Sequence, residues 1–594
     1  MLSVVANPFW RGVIPTLLGL LLTPMVSSLR IAIFVPDVPE EARNGLNQLA
    51  QQLAYRNHYV LTFRALLLPE VRYLVMHKLN MVEEIKLEVG LPQSLQESLR
   101  NLGGRSVWTL PYGSTEPVRP LIEANVEACR VILNSDLTDH LRHVSLDLAV
   151  VYSGNPCYLG IVQNLSLPFV YFDTDGLQDE TLLASGTPVD PMWLPPSTRR
   201  SYPFRLSLAE RIQTFADFCR SALSNWNPIL RLLRNRDASE LDDRIMALFK
   251  NDSAMGDAFR HFHSFHQIRQ QAALYFVNSD YLIEPVERRL SPKVVYVGGY
   301  HQELARPLFE PYNDTVASAK NGIIIVSFGN VVNCSAMPPA VVRIFLEVFR
   351  RLPDNRIFWR VREARFEEIE ANEIPPNVNV SRYLPQVDLL GQRQPPHCFF
   401  KTNDDSLGSP EARLLISHGG AQSALEAMTA GVPLLGIPLL LPNYNTLRKL
   451  EARGMALILE KENLSVQSLL EAIRRLLDDK KYAKVAWQLS RMINERPFDS
   501  LDKAINWLEL IGRYKKSAFP KEVESTSLKE CGLFSSALLS LFTLLISVVY
   551  FNWSKTTANL NQETLSEETV PMPEQTARYP TRAKKAEGKV TVKG

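Results

Sequence analysis

Cysteine is scarce in this chain and charge is nearly balanced. Six cysteines (Cys129, Cys157, Cys219, Cys334, Cys398 and Cys531) are scattered over 594 residues, with no Cys-x-x-Cys pair. That spacing excludes a disulfide scaffold and a structural zinc site, and leaves one or two bridges whose pairing it does not decide. The formal net charge is only +2. With no clustered basic stretch in the folded part, a nucleic-acid partner is not expected.

Long hydrophobic runs are missing except near the two ends. Arg11 precedes the apolar run Val13 to Leu22, and the small residues Ser27 and Ser28 follow. This is a signal-peptide layout over residues 1–28. Leu533 to Phe551 is uncharged and mostly apolar, long enough for one membrane-spanning helix within 530–553. Lys555, Arg578, Arg582, Lys584, Lys585, Lys589 and Lys593 lie beyond it. By the positive-inside tendency the tail 554–594 is cytosolic and the body luminal, a single-pass type I arrangement. Asn-x-Ser/Thr triplets at Asn164, Asn251, Asn313, Asn333, Asn379 and Asn463 fit luminal exposure, although Asn333 and Asn379 fall beside the nucleotide site argued below.

Between these ends the chain is 46% apolar and 22% charged, a globular composition with room for two ordinary domains. Arg30 to Val35 reads as a buried strand, Pro36 to Arg43 as a loop, Asn44 to Asn57 as an amphipathic helix and His58 to Phe63 as the next strand. The strand–helix–strand rhythm returns at Leu146 to Phe172 and again from Gly322 to Val361, separated by a linker over 300–320. This alternation predicts two α/β domains with parallel sheets: 29–299 and 321–516. Asp173 to Pro203 reads as a loop bordering a cleft, and Val466 to Leu510 as closing helices.

The most informative stretch runs from Val378 to Pro442. Arg413 to Ile416 is a short strand, Ser417-His418-Gly419-Gly420 a tight turn, and Ala421 to Ala430 a helix closed by Gly431 and Pro433. A strand, glycine turn and helix aim bare backbone N–H groups and a positive dipole end at an anion. Gln422 and Glu426 share one helical face with Ser423 beside them, and the carboxylate suits sugar hydroxyls rather than phosphate. Upstream, Tyr383 and Gln386 in Tyr383-Leu384-Pro385-Gln386 could stack on and hydrogen-bond a flat base.

Together these segments resemble the nucleotide-sugar signature of the UDP-glycosyltransferases, specifically the animal UDP-glucuronosyltransferase family. The resemblance implies two Rossmann-like domains (the GT-B arrangement) plus one C-terminal transmembrane helix, with the active site between the domains. It implies an inverting, metal-independent transfer of glucuronate or glucose from a UDP-sugar co-substrate, with no other cofactor, to a small lipophilic acceptor. The setting is conjugation at the endoplasmic reticulum membrane. UDP-sugar would be held by Ser327, Gly329, Tyr383, Gln386, His418, Gly419, Gly420, Gln422, Ser423 and Glu426.

The resemblance breaks at the base. The family's catalytic His position falls on Ala42 and its partner Asp on Tyr152, while the nearby His58 belongs to a strand start. Glu41 is the candidate base, reached by a one-residue loop shift. The Asp-Gln pair that grips donor-sugar hydroxyls is replaced by Pro442-Asn443, and the segment 391–406 is mostly foreign to the family. Beside a working transferase, two alternatives stand: a UDP-sugar-binding pseudoenzyme regulating active relatives by hetero-association, and a membrane-anchored module binding lectin-like or lipophilic ligands. The sequence says nothing of homo- or hetero-oligomer formation.

Overall fold

The computed structural model describes residues 28–69, 81–187, 207–216, 237–284, 290–391 and 412–514, apart from 113, 115, 254, 263, 303 and 304. The expected signal segment up to residue 27, the apolar run from Leu533 to Phe551, the tail 554–594 and nearly all of the 391–406 segment lie outside the described residues. No helix among the described residues is long and apolar enough to cross a membrane.

Two parallel sheets make the core of the body. The first contains β1 (Arg30–Phe34), β2 (Tyr59–Leu66), β3 (Glu83–Glu88), β4 (Leu148–Tyr152), β5 (Phe169–Asp173), β6 (Leu274–Val277) and β7 (Val294–Tyr296), in the order β3-β2-β1-β4-β5-β6-β7. The second contains β8 (Ile323–Ser327), β9 (Arg356–Arg360), β10 (Val378–Ser381), β11 (Ala412–Ser417), β12 (Leu434–Gly436) and β13 (Ala456–Ile458), ordered β10-β9-β8-β11-β12-β13. The central strands are covered by helices on both faces, which is why β1, β4 and β8 read as continuous apolar runs instead of alternating ones. Edge strand β3 alternates exposed Glu and Lys with half-buried side chains, a pattern that discourages further strand pairing.

In each sheet the strand order reverses once, between β1 and β4 and between β8 and β11. Loops leaving such a pair of strands diverge and open a crevice at their carboxyl ends, where ligands of open α/β sheets bind.

Several local expectations need correcting. The first helix spans Glu40–Tyr55, so the expected loop over Pro36 to Arg43 is helical from Glu40. Pro39 in extended conformation precedes it without a side-chain cap, so the usual start signal is missing. The expected loop from Asp173 contains a helix at Asp179–Ala184, and the linker contains one at Tyr312–Ala317. Cys129 and Cys157 form a disulfide, tying the Arg119–Leu133 helix to the Pro156–Asn164 helix, and Cys334 is a buried free thiol.

The two lobes are interlaced. Val107 and Trp108, on the first lobe's Arg105–Thr109 helix, lie in the hydrophobic core of the second lobe, with the Trp108 ring edge-on to Phe328 at 5.3 Å. Around them Tyr112 donates to the Pro438 carbonyl at 2.8 Å, and Lys461 Nζ donates to the Val107 and Leu110 carbonyls at 2.6 Å each. In return the last described helix, Ser500–Tyr514, lies on the first lobe. There Asp502 meets Arg56 at 2.5 Å and Glu509 meets His58 Nε2 at 3.1 Å. His58 Nδ1 accepts from the Leu29 amide at 3.2 Å, so this histidine is part of the lobe junction, as its place at a strand start suggested.

Trp108→Ala is expected to destabilise the body by about 3–5 kcal/mol through the cavity it leaves. Trp108→Phe keeps most of the packing and removes an indole N–H that is buried without a partner. It should therefore stay within about 1.5 kcal/mol of the parent. Denaturant titration of both variants checks this pair, and equal losses would contradict the wedge role.

Candidate nucleotide-sugar site

The site grows from one register. Ser327 and Ser417 are partners at the ends of β8 and β11, so the turns that follow them emerge side by side at the switch point. The turn after β8 needs glycine: Gly329 has φ +71°, and a Cβ there would come 2.8 Å from His418 Cε1. The turn after β11 needs another: Gly419 has φ +90°, and a Cβ there would meet Leu447 Cγ at 2.3 Å. A Cβ at Gly420 would also come 3.0 Å from His418 Cε1 and Nε2. The imidazole is thus packed against two glycines, neither of which has room for a side chain.

His418 is 9% exposed, and burial pushes its pKa down to about 4. At neutral pH it is an uncharged imidazole that offers one ring N–H and carries no positive charge. Gly420 precedes the Ala421–Ala430 helix, and no side chain caps it. Its leading N–H groups are left for an anion, with the positive end of the helix dipole behind them.

Glu426 sits two turns into that helix and is 8% exposed. Gln386 Nε2 donates to Glu426 Oε2 at 2.6 Å and to Ser423 Oγ at 3.1 Å, and Gln422 Nε2 donates to Glu426 Oε1 at 3.1 Å. Burial raises the Glu426 pKa to about 7 against the partial relief of these two amides. A carboxylate has about four acceptor positions, so each oxygen keeps capacity for a hydroxyl. Gln386, read from the sequence as a base contact, reaches the carboxylate with its amide. Tyr383 is 64% exposed and its backbone carbonyl accepts from Tyr312 Oη at 2.7 Å, leaving the ring open as a stacking surface. Ser327 is buried, 1% exposed, at the strand end.

The first lobe contributes Glu41. The earlier helix start places it in the first turn, and Glu41 Oε1 accepts from the Asn330 backbone N–H at 2.7 Å across the cleft. No loop shift is needed to bring it there. Burial raises its pKa, against hydrogen bonds from backbone amides and the charge of Arg360. Ala42, at the family's His position, is packed in the core at 4% exposed, and Tyr152, at the Asp position, is buried at 6%. Sequence reasoning missed Asp175, which is solvent-exposed. Partial desolvation by the surrounding protein, and then the charge of Glu41, push its pKa above the ordinary carboxylate value. No motif marks it; it follows β5, and only the fold brings it within range of Glu41. Of the altered sugar-gripping pair, Pro442 opens the Leu441–Arg453 helix and Asn443 turns a buried Oδ1 with no partner toward the interior.

Two α/β lobes with an anion cradle at their facing switch points define a glycosyltransferase of the GT-B type. The fold matches the kitacinnamycin glycotransferase, with a TM-score of 0.50 at 15% identity over 81% of this chain and 98% of that one. The family model for UDP-glucoronosyl and UDP-glucosyl transferases matches residues 93–522, and the chain belongs to that family. It is 27% identical over 385 residues to UDP-glucuronosyltransferase 3A1 of Xenopus laevis, covering 64% of this chain and 66% of that protein. To UDP-glucosyltransferase 2 of Dactylopius coccus it is 24% identical over 390 residues, covering 65% and 67%. To human UDP-glucuronosyltransferase 2B7 it is 30% identical over 227 residues, 38% of each chain. The matches to the first two relatives thus span about two thirds of their length.

The folded-state pKa of Glu426, about 7, lies above its ordinary 4.5. Its contribution to stability is therefore full below about pH 4.5 and lost as pH rises through about 7, roughly 3 kcal/mol in all. Glu426→Gln should flatten the fall in the ligand-free melting temperature between pH 5 and 7.5. Because a ligand hydroxyl favours the ionised carboxylate, affinity for UDP-glucose should rise between pH 6 and 8 in the parent and stay level in the variant. Calorimetry at three pH values reads this. A pH-independent parent affinity would remove Glu426 from the binding site.

Proposed function

We propose that this chain transfers a hexose, glucuronate or glucose, from a UDP-sugar to a small lipophilic acceptor in the cleft between its lobes, with inversion and without a metal. The observation that carries the reading is the buried Glu426 held by Gln386 and Gln422 beside the uncapped helix start and the neutral His418 ring. In this reading the acceptor oxygen attacks the anomeric carbon, and the bond to the diphosphate oxygen breaks with its electron pair leaving on UDP. The backbone N–H groups at Gly420 to Ser423 and the His418 N–H meet that charge where it develops, an effect worth several kcal/mol when the donors are preorganised. Glu41 takes the acceptor proton. Its raised pKa, owed to burial and then to the Glu40 charge, makes it a stronger base than an exposed carboxylate.

The same proposal places the body on the luminal side of the endoplasmic reticulum membrane, anchored by the C-terminal apolar run. Support comes from the Cys129–Cys157 disulfide, which belongs to an oxidising compartment. The exposed triplet positions Asn251, Asn313 and Asn463 also support it. Asn333 does not: it is 4% exposed and its side chain accepts from the Ser335 amide.

The buried Ala42 and Tyr152 favour a second reading, a nucleotide-binding pseudoenzyme that acts on active relatives through association. Mass spectrometry on the full chain, given UDP-glucuronate or UDP-glucose with phenols and alcohols, separates the two. A conjugate that vanishes in His418→Ala is the expected result. Glu41→Gln should slow transfer to alcohols by about 10²–10⁴, and transfer to phenols less, because these ionise more easily. Nucleotide protection against heat without any conjugate would decide for the pseudoenzyme.

A further inference from the structure

Asn330, in the turn after β8, meets three partners through three different groups. Its backbone N–H donates to Glu41 Oε1 of the first lobe at 2.7 Å. Its side-chain Oδ1 accepts from Arg360, and its carbonyl accepts from Arg362 at 2.5 Å. The sheet register explains the meeting. Val326 pairs with Trp359, so the turn after β8 starts beside the end of β9. Trp359 and Val361 pack into the core of the second lobe, and Arg360 and Arg362 stand between and beyond them. Arg362 also donates to the Arg100 carbonyl, at the end of the Gln93–Arg100 helix of the first lobe. Among the described residues, no salt bridge involves Glu41, Arg360 or Arg362.

The charges around Glu41 come from every element that packs near it. Burial raises its pKa most, and Glu40 on its own helix adds to this; the amides of Glu41 and Asn330 and the Arg360 charge act the other way. Glu40 itself is met by Arg43 at 2.8 Å. Asp175, after β5, and Glu426, on the Ala421–Ala430 helix, both feel the Glu41 charge, and Glu426 feels that of Arg360 as well. A Cβ at Gly329 would lie 3.5 Å from Glu41 Oε1 and 2.8 Å from His418 Cε1, so the carboxylate stands at the same glycine as the uncharged imidazole. Arg360 is thus the cation that favours the ionised form of Glu41, and it does so from one residue away. That distance matters. A general base must be ionised and still have a lone pair for the incoming proton. A guanidinium fork set directly on the carboxylate would occupy both oxygens and make it a weak base. Held on Asn330 instead, the guanidinium supplies its field without sitting on those oxygens.

We infer that Arg360 is a positioning residue for the Glu41 base: with Arg362 it fixes the Asn330 turn, and the turn fixes the carboxylate across the cleft. The inference rests on the reading of Glu41 as the base and names the part of the second lobe on which that base depends. Arg360 acts in two separable ways. Its bond to Asn330 orients the N–H that Glu41 accepts, and a misplacement of about 1 Å at a reacting group can cost about 10² in rate. Its charge keeps the desolvated carboxylate ionised at a lower pH than burial alone would allow.

The test measures kcat on the full chain in detergent micelles, with 2-naphthaleneethanol as acceptor. UDP-glucose or UDP-glucuronate, whichever the parent uses, is kept saturating so that donor binding at Glu426 stays out of the reading. Arg360→Gln should lower kcat about tenfold at pH 6 and much less at pH 8.5, because Glu41 then ionises only at higher pH. Arg360→Lys keeps the charge and should return the parent's pH profile at a lower plateau. Asn330→Ala removes the side-chain acceptor and keeps the N–H. It should lower kcat at every pH without moving the profile, and it serves if Arg360→Gln misfolds. An Arg360→Gln profile parallel to the parent's, or an Asn330→Ala rate equal to the parent's, would overturn the inference. In the Glu41→Gln background Arg360→Gln should cost nothing more, and equal fold losses in both backgrounds would mean that the arginine acts elsewhere. Unchanged transfer in Glu41→Gln alone removes the base reading and this inference with it. If the parent forms no conjugate, the transferase reading falls and melting temperatures judge the link. Glu41→Gln with Asn330→Ala should then lose less than the two single losses together, and additive losses would break it.

Discussion

The pairing of Ser327 with Ser417 at the ends of β8 and β11 is the constraint from which the site follows. Two neighbouring parallel strands whose connections run to opposite sides start their turns side by side and leave a crevice between them. The His418 ring leaves no room for a side chain at 329, and Leu447 leaves none at 419. Without that crowding, the helix start at Ala421 would need no opening toward the cleft, and Glu426 would have no reason to be buried. The chemistry depends on a packing problem solved one way.

Groups suited to taking a proton and groups suited to meeting an anion stand on different lobes. The first lobe supplies carboxylates, Glu41 and Asp175, held in partly desolvated positions that make them better proton acceptors. The second supplies an uncharged imidazole, helix N–H groups, and the guanidinium groups of Arg360 and Arg362. Proton removal on one side and stabilisation of a departing anion on the other is the division that a displacement at carbon requires. The contact that joins the halves is the Glu41 bond to the Asn330 amide. It holds the acidic side against the turn that carries Gly329.

Much of this was legible in the sequence because it is local. Buried strands such as Ile323 to Ser327 show themselves as apolar runs, and the Ser417 to Gly420 turn with its following helix follows from composition and spacing alone. The start of the first helix was hidden because Pro39 replaces a capping Ser, Thr or Asp, so Glu41 was read one segment too early. Asp175, Arg360 and Arg362 were hidden for a different reason. Each is an ordinary charged residue whose meaning comes from what another part of the chain brings opposite it. The Cys129–Cys157 bridge also had no signature, since it depends on two helices separated in sequence packing side by side.

The interlacing of the lobes bears on how such a protein can diverge. The boundary near residues 300–320 looks like a clean seam, with a sheet complete on either side. Yet Trp108 belongs by chain to the first lobe and by packing to the core of the second, and the Ser500–Tyr514 helix belongs to the second by chain and rests on the first. A recombination that swapped whole lobes at the seam would exchange each latch away from the surface it was fitted to. Descent with new acceptor specificity is therefore steered toward loop and side-chain change within a fixed pair of lobes, and exchange of intact lobes between relatives is penalised.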